Sequence, residues 1–185
     1  MNNLVSKSII RKEVLQKRNS LSPNERKIKS ELICQKVISH PKFLEAEVIL
    51  VYMPIKSEVS TISIIQQAWK LNKIVGFPKI EDNKMQFYNA NNFSQLAKGT
   101  SSILEPETNN LIEPSKALII MPGVAFDRNK NRIGYGKGFY DSYLTLHSQF
   151  DTITLAFDCQ IVESIQTESH DIIPHYLITE SIIIQ

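Results

Sequence analysis

Apolar positions along the chain follow two rhythms, one helical and one extended, and their alternation sets the expected fold. Residues 6–19 place Ile10, Val14 and Leu15 inward and Lys7, Arg11, Lys12, Lys17 and Arg18 outward, the pattern of a basic amphipathic helix. Ser22-Pro23-Asn24-Glu25 then combines an N-cap serine, proline at the first helical position and glutamate three residues on, a capping box. Ile28, Leu32, Ile33 and Val37 form the apolar stripe of that second helix, which ends before Pro41. Residues 48–52 are a short β-branched run, a buried strand stopped by Pro54. Ser60 or Thr61 caps a helix carrying Ile64, Ile65, Ala68 and Trp69. Residues 74–77 read as a second buried strand ended by Pro78, and residues 85–88 as a third at an edge. Residues 90–114 are polar and turn-rich and read as a long surface connection. Residues 117–121, 153–157 and 177–184 complete the strands, with 161–165 a short piece before the last.

This alternation predicts an α/β fold of three layers, a mostly parallel central sheet flanked by helices. No repeat or composition break divides residues 1–185, so one domain is expected. In such sheets ligands bind outside the carboxyl ends of the strands. Residues 53–58 and the loop after residue 121 both lie at such ends, and are expected to face one crevice.

Composition narrows the partners. A net charge of +2 is too small to imply nucleic acid, so any basic character is local. The basic helix lacks interleaved aromatics, which argues further against a nucleic-acid binder. Cys34 and Cys159 form no CxxC pair and have no metal-ligand spacing; buried reduced thiols are expected. The first residues contain no long apolar h-region, and no apolar run approaches the roughly 18 residues of a membrane span. A reduced cytoplasmic protein is therefore expected, taken as a monomer, with neither nucleic acid nor membrane as partner.

Candidate chemistry concentrates in MPGVAFDRNKNRIGYGKGFYDSY, residues 121–143. Gly134, Gly136 and Gly138 lie among Arg128, Lys130, Arg132 and Lys137, with Asp127 and Asp141 nearby. Glycines let a backbone approach a ligand, and the adjacent cations suit a phosphorylated one. The spacing is G-x-G-x-G, not the dinucleotide G-x-G-x-x-G. It is not a Walker A loop either, since Asn131 and Gly138 stand where that motif needs Gly and Ser or Thr. Arg132 and Lys137 suit phosphate oxygens, and Asp141 suits Mg²⁺. On these residues alone, a nucleotide- or sugar-phosphate-binding module without catalysis stays open.

The same stretch resembles the signature of the 5-formyltetrahydrofolate cyclo-ligase (5,10-methenyltetrahydrofolate synthetase) family. Pro122-Gly123, Phe126-Asp127 and the run from Arg132 to Asp141 match its core. Phe139 stands where tyrosine is common, and Tyr135 where some members have arginine. Lys7 and Arg11 match a lysine and arginine that reach ATP in the family, and Tyr52, Pro54, Glu58 and Val59 match its Tyr-x-Pro-x-x-x-Glu-Val. Glu105-Pro106 and His170-Asp171 match further pairs in order. The resemblance implies ATP- and Mg²⁺-dependent cyclisation of 5-formyltetrahydrofolate to 5,10-methenyltetrahydrofolate. It implies ATP binding by Lys7, Arg11, Arg132, Ile133, Gly134, Tyr135, Gly136, Lys137, Gly138, Phe139 and Tyr140, with Lys137 and Arg132 catalytic. Folate would meet Met53, Glu58 and the run Tyr135, Gly136, Lys137, Gly138 and Phe139; Asp141 and Asp171 would hold the metal.

Overall fold

A computed structural model describes residues 6–99, 103–169 and 171–185. Its centre is a seven-stranded sheet whose order is set by the buried apolar runs. β1 (Val48–Val51) pairs in parallel with β2 (Ile74–Glu81) on one side and β6 (Leu118–Met121) on the other. β6 continues in parallel to β9 (Asp151–Leu155), and β9 to β10 (Tyr176–Ile178). The edges are antiparallel, β3 (Lys84–Asn89) beside β2 and β11 (Ile183–Ile184) beside β10. Val48–Val51 and Leu118–Met121 are buried at every position, as central parallel strands covered on both faces require.

Helices cover both faces. α2 (Pro23–Ile38) and α4 (Ile62–Lys70) enclose a core of Ile33, Cys34, Val37, Ile64, Ile65 and Ala68 with the sheet. α5 (Phe139–Leu146) brings Tyr143 and Leu144 against Val48, Leu50, Phe87 and Ile119 on the other face. α1 (Lys7–Ser20) lies apart from both layers. It packs on the 3₁₀ turn Asp158–Gln160 after β9 and on β7 (Ala125–Phe126) after β6, across the carboxyl ends of the strands. Among the described residues no helix is long and apolar enough to cross a membrane.

The three-layer α/β expectation holds, and several local expectations change. The α2 capping box is present, with Ser22 N–H donating to Glu25 at 2.8 Å and Glu25 N–H to Ser22 Oγ at 3.2 Å. The buried face of α2, however, is Ser30, Ile33, Cys34 and Val37, while Ile28 and Leu32 are exposed. Ser30 is tolerated inside because its hydroxyl accepts the Ser60 N–H at 3.0 Å. Pro78 does not end β2. Its partner Phe87 turns its carbonyl away from β2, to the Ile112 N–H at 2.8 Å, so the Pro78 nitrogen faces the side where β1 has already stopped pairing.

Residues 90–114 are not simply a surface connection. They contain a 3₁₀ turn (Phe93–Gln95) and a hairpin of β4 (Leu96–Lys98) and β5 (Leu104–Pro106), anchored by Trp69 Nε1 donating to Ala90 O at 2.8 Å. The expected strand over 177–184 is two strands, because Thr179 Oγ1 accepts the N–H groups of Ser181 and Ile182 and turns the chain back. A five-residue α3 (Pro41–Glu45) and a hairpin of β7 with β8 (Arg132–Ile133) were not expected.

Ser22→Ala should cost about 1 kcal/mol of unfolding free energy without changing activity, read by urea denaturation. A loss below a few tenths would mean that the box contributes little.

Candidate active site

β1 leads through α4 to β2 on one side, whereas β6 leads to β9 on the other. The crossovers leave the β1–β6 pair in opposite directions, so the crevice beyond these two strands is the topological switch point. Residues 52–60 enter it from β1 and residues 122–138 from β6. α1 closes it from above. Lys7, Arg11, Val14 and Arg18 share one helical stripe, and Val14 packs with Val124, Ala125, Ile133 and Ile165. Arg18, expected outward, is instead only 1% exposed. Its spacing from Lys7 and Arg11 on the Val14 face is the sequence signal that could have placed it.

Arg18 joins the two loops. Its Nε donates to Ser57 Oγ at 3.0 Å, its Nη1 reaches Gly123 O at 3.4 Å and its Nη2 donates to Tyr135 Oη at 2.9 Å. The Tyr135 hydroxyl then donates to Glu58 Oε1 at 2.7 Å, and Glu58 Oε2 accepts the Ile55 N–H at 2.9 Å. Tyr135 thus links the glycine loop to the β1 loop. Tyr135 is 41% exposed as a residue although its hydroxyl is engaged inside. Burial, then the charge of Glu58, pushes that hydroxyl up to about 12, so it is a proton donor at neutral pH. Burial raises the Glu58 carboxyl, against the opposing pull of the Ile55 N–H, the Tyr135 hydroxyl and the charges of Arg18 and Lys56.

The glycine loop springs from the β7–β8 hairpin. Asp127 is 1% exposed and binds the hairpin turn together, accepting from Asn129 N, Asn131 N, Asn131 Nδ2 and Ile165 N. It is therefore committed to the loop's shape. Gly138 caps α5 in the left-handed region, at φ 68°, where a side chain would be strained. A Cβ built at Gly134 or Gly138 meets nothing within 4 Å. The loop is consequently an open cradle at a helix N-terminus, the geometry that takes anions. Arg11 crosses it, donating from Nε to Gly134 O at 2.9 Å.

Ion pairs made by two cations, Arg132 and Lys7, flank this cradle. Arg132 Nη2 meets Asp141 Oδ1 at 2.7 Å, and its Nη1 donates to Ile172 O at 3.0 Å. Asp141 Oδ1 also accepts the Ile172 N–H at 3.0 Å. Lys7 Nζ meets Asp171 Oδ2 at 2.7 Å and Glu168 Oε1 at 2.9 Å. Burial would lower the Lys7 ammonium, but its two carboxylate partners outweigh that and hold it above its usual value. Asp141 and Asp171 therefore flank the same Ile172 backbone. No group of three His, Cys, Asp or Glu gathers among the described residues. Two carboxylates beside an open anion cradle fit Mg²⁺, which takes one or two carboxylates and completes its shell with phosphate and water.

Other expected residues are placed unevenly. Lys137 is exposed and enters no ion pair among the described residues; it stands at the lip of a groove between α5 and β3, with Phe139, Ser142, Phe87 and Lys84. Phe139 and Tyr140 are half-buried against the sheet, and burial raises the Tyr140 hydroxyl. Met53 is buried in the core beside β1. Ile133 is also core, so only its backbone lies along the loop. His170 lies outside the described residues.

The family model "5-formyltetrahydrofolate cyclo-ligase family" matches residues 3–180. A mouse 5-formyltetrahydrofolate cyclo-ligase is 32% identical over 177 residues, covering 88% of this chain and 87% of its own. An NMR structure of Aquifex aeolicus 5,10-methenyltetrahydrofolate synthetase superposes with a TM-score of 0.83 at 32% identity, covering 96% of this chain and 91% of that one. The corresponding Mycoplasma pneumoniae synthetase gives a TM-score of 0.77 at 27% identity, over 95% and 99%.

Because Arg132 and Asp141 are each other's main partner, Arg132→Ala and Asp141→Ala should each lower stability by about 1–3 kcal/mol. The double variant should be little worse than either alone, read as a coupling energy in a denaturation cycle. Full additivity would contradict the pairing.

Proposed function

The chain belongs to the 5-formyltetrahydrofolate cyclo-ligase family, and from that premise we propose that it couples ATP, with Mg²⁺, to closure of 5-formyltetrahydrofolate into 5,10-methenyltetrahydrofolate. The formyl group is an amide carbonyl, deactivated by the N5 lone pair. Transfer of the γ-phosphoryl group to the formyl oxygen forms an O–P bond and releases ADP. N10 then attacks the activated carbon and its proton passes to solvent. The carbon–oxygen bond breaks, phosphate leaves, and the positive charge spreads over N5, the bridging carbon and N10.

Such chemistry needs positioning and charge neutralisation more than a protein nucleophile. Lys7, Arg11 and Lys137 supply cations around the glycine N–H groups, and Arg132 holds Asp141 in place beside them. Asp141 and Asp171 would hold Mg²⁺, which when bound neutralises charge on the transferring phosphoryl oxygens. Glu58 faces the folate, with the Tyr135 ring as an apolar wall beside it. The observation that carries this reading is the Tyr135–Glu58 hydrogen bond. It puts the phosphate-type loop and a buried carboxylate in one crevice, as a reaction between two substrates requires.

Product formation, followed by the absorbance of the methenyl bridge, should require both ATP and Mg²⁺ and release one phosphate per product. Lys137→Ala should lower kcat by about a hundredfold or more while the thermal melt stays put. ATP-independent closure, or unchanged turnover in that variant, would contradict the proposal.

A further inference from the structure

Arg18 is a buried cation whose donors end on neutral oxygens. Ser57 Oγ, Gly123 O and Tyr135 Oη take its guanidinium, and no ion pair among the described residues includes it. Removing a guanidinium from water is costly, and an apolar side chain at such a site is usually no less stable. A role in packing alone therefore does not explain the charge. The path from Arg18 to an anion runs through a single atom, the Tyr135 hydroxyl, which accepts from Arg18 and donates to Glu58. The guanidinium carbon also lies 6.0 Å from the Tyr135 ring centroid, so the same cation steadies the ring.

We propose that Arg18 is a positioning residue for the folate side of the reaction: through the Tyr135 hydroxyl, its buried guanidinium fixes Glu58 as a carboxylate ready to accept hydrogen bonds from the N–H groups of the folate ring. This rests on the reading that Glu58 meets the folate. Arg18 and Tyr135 come from α1 and the glycine loop, so nothing in the local sequence around Glu58 reveals the arrangement. The groups facing Glu58 are Arg18 from α1, Lys56 from its own loop, Tyr52 beyond β1, Tyr135 from the glycine loop and Tyr140 from α5. Only Arg18 and Lys56 carry positive charge. Burial favours the protonated acid, and the two cations oppose it. Loss of Arg18 should therefore make Glu58 easier to protonate and harder to use as an acceptor near neutral pH.

The test is the kinetics of Arg18→Met, Arg18→Lys and Tyr135→Phe, with Glu58→Gln as reference, in the full chain. Arg18→Met should raise KM for 5-formyltetrahydrofolate about tenfold and leave KM for ATP unchanged. The acid limb of kcat/KM for the folate should move upward by about one pH unit. Tyr135→Phe keeps the ring and removes only the link, so it should move the limb the same way, and it decides the matter should Arg18→Met fail to fold. Arg18→Lys, which retains the charge, should restore most of the limb's position. A purely structural Arg18 would lower the melting temperature and leave the limb in place. If Glu58→Gln raises the folate KM while Arg18→Met and Tyr135→Phe keep the original limb and KM, the Arg18 inference is overturned and the folate-side reading stands. If Glu58→Gln leaves the folate KM unchanged, that reading fails, and the inference with it.

Discussion

The Tyr135 hydroxyl is where three distant parts of the chain become one site. It sits between a cation from the first helix and a carboxylate from the loop after the first strand, at 2.9 and 2.7 Å. Without that contact the sheet would still form, since its core of Leu50, Ile119, Ile120 and Val75 does not involve these residues. The crevice at the strand ends would lose the direct link from the glycine loop to Glu58. α1 is held there by one small apolar cluster around Val14 and by the polar stripe Lys7, Arg11 and Arg18. Stability lives in the sheet, and the geometry of the site lives in a few hydrogen bonds above it.

The cations and carboxylates of the crevice are arranged in opposed pairs. Lys7 holds Asp171, and Arg132 holds Asp141, beside a loop whose glycine positions are open. Each pair places an acid suited to Mg²⁺ next to a base suited to phosphate. Such pairs keep side chains ordered at modest net energy, because they are partly solvated. Lys137 differs: it is exposed and in no ion pair among the described residues, the condition of a cation available to a ligand. The Glu58 side is drier. There burial sets the chemistry, and a single charge one hydroxyl away has leverage that it would not have in water.

Much of the fold was legible because local signals agreed with tertiary ones. The capping box at Ser22 formed where expected, and the strands expected over 48–52 and 117–121 form one residue shorter, at Val48–Val51 and Leu118–Met121. What was not legible depended on partners remote in sequence. Pro78 looked like a stop, and continues because β1 has already ended beside it. The three-residue strands β4 and β5 are too short for a periodicity. Arg18 looked solvated because charge on a helix normally is; only its stripe with Lys7, Arg11 and Val14 hinted otherwise. Asp127 shows the converse, a carboxylate in the richest motif that turns out to tie a hairpin. The glycine loop was conspicuous in the sequence, but Glu58 gained meaning from the resemblance and from a contact 77 positions away.

In the proposed reaction one crevice brings a phosphoryl donor to the formyl oxygen of a folate. This step is tested most directly by following oxygen. With 5-formyltetrahydrofolate labelled with ¹⁸O in the formyl group, the label should appear in the released phosphate, one atom per methenyl product. Unlabelled phosphate, with the ¹⁸O lost to water, would contradict it.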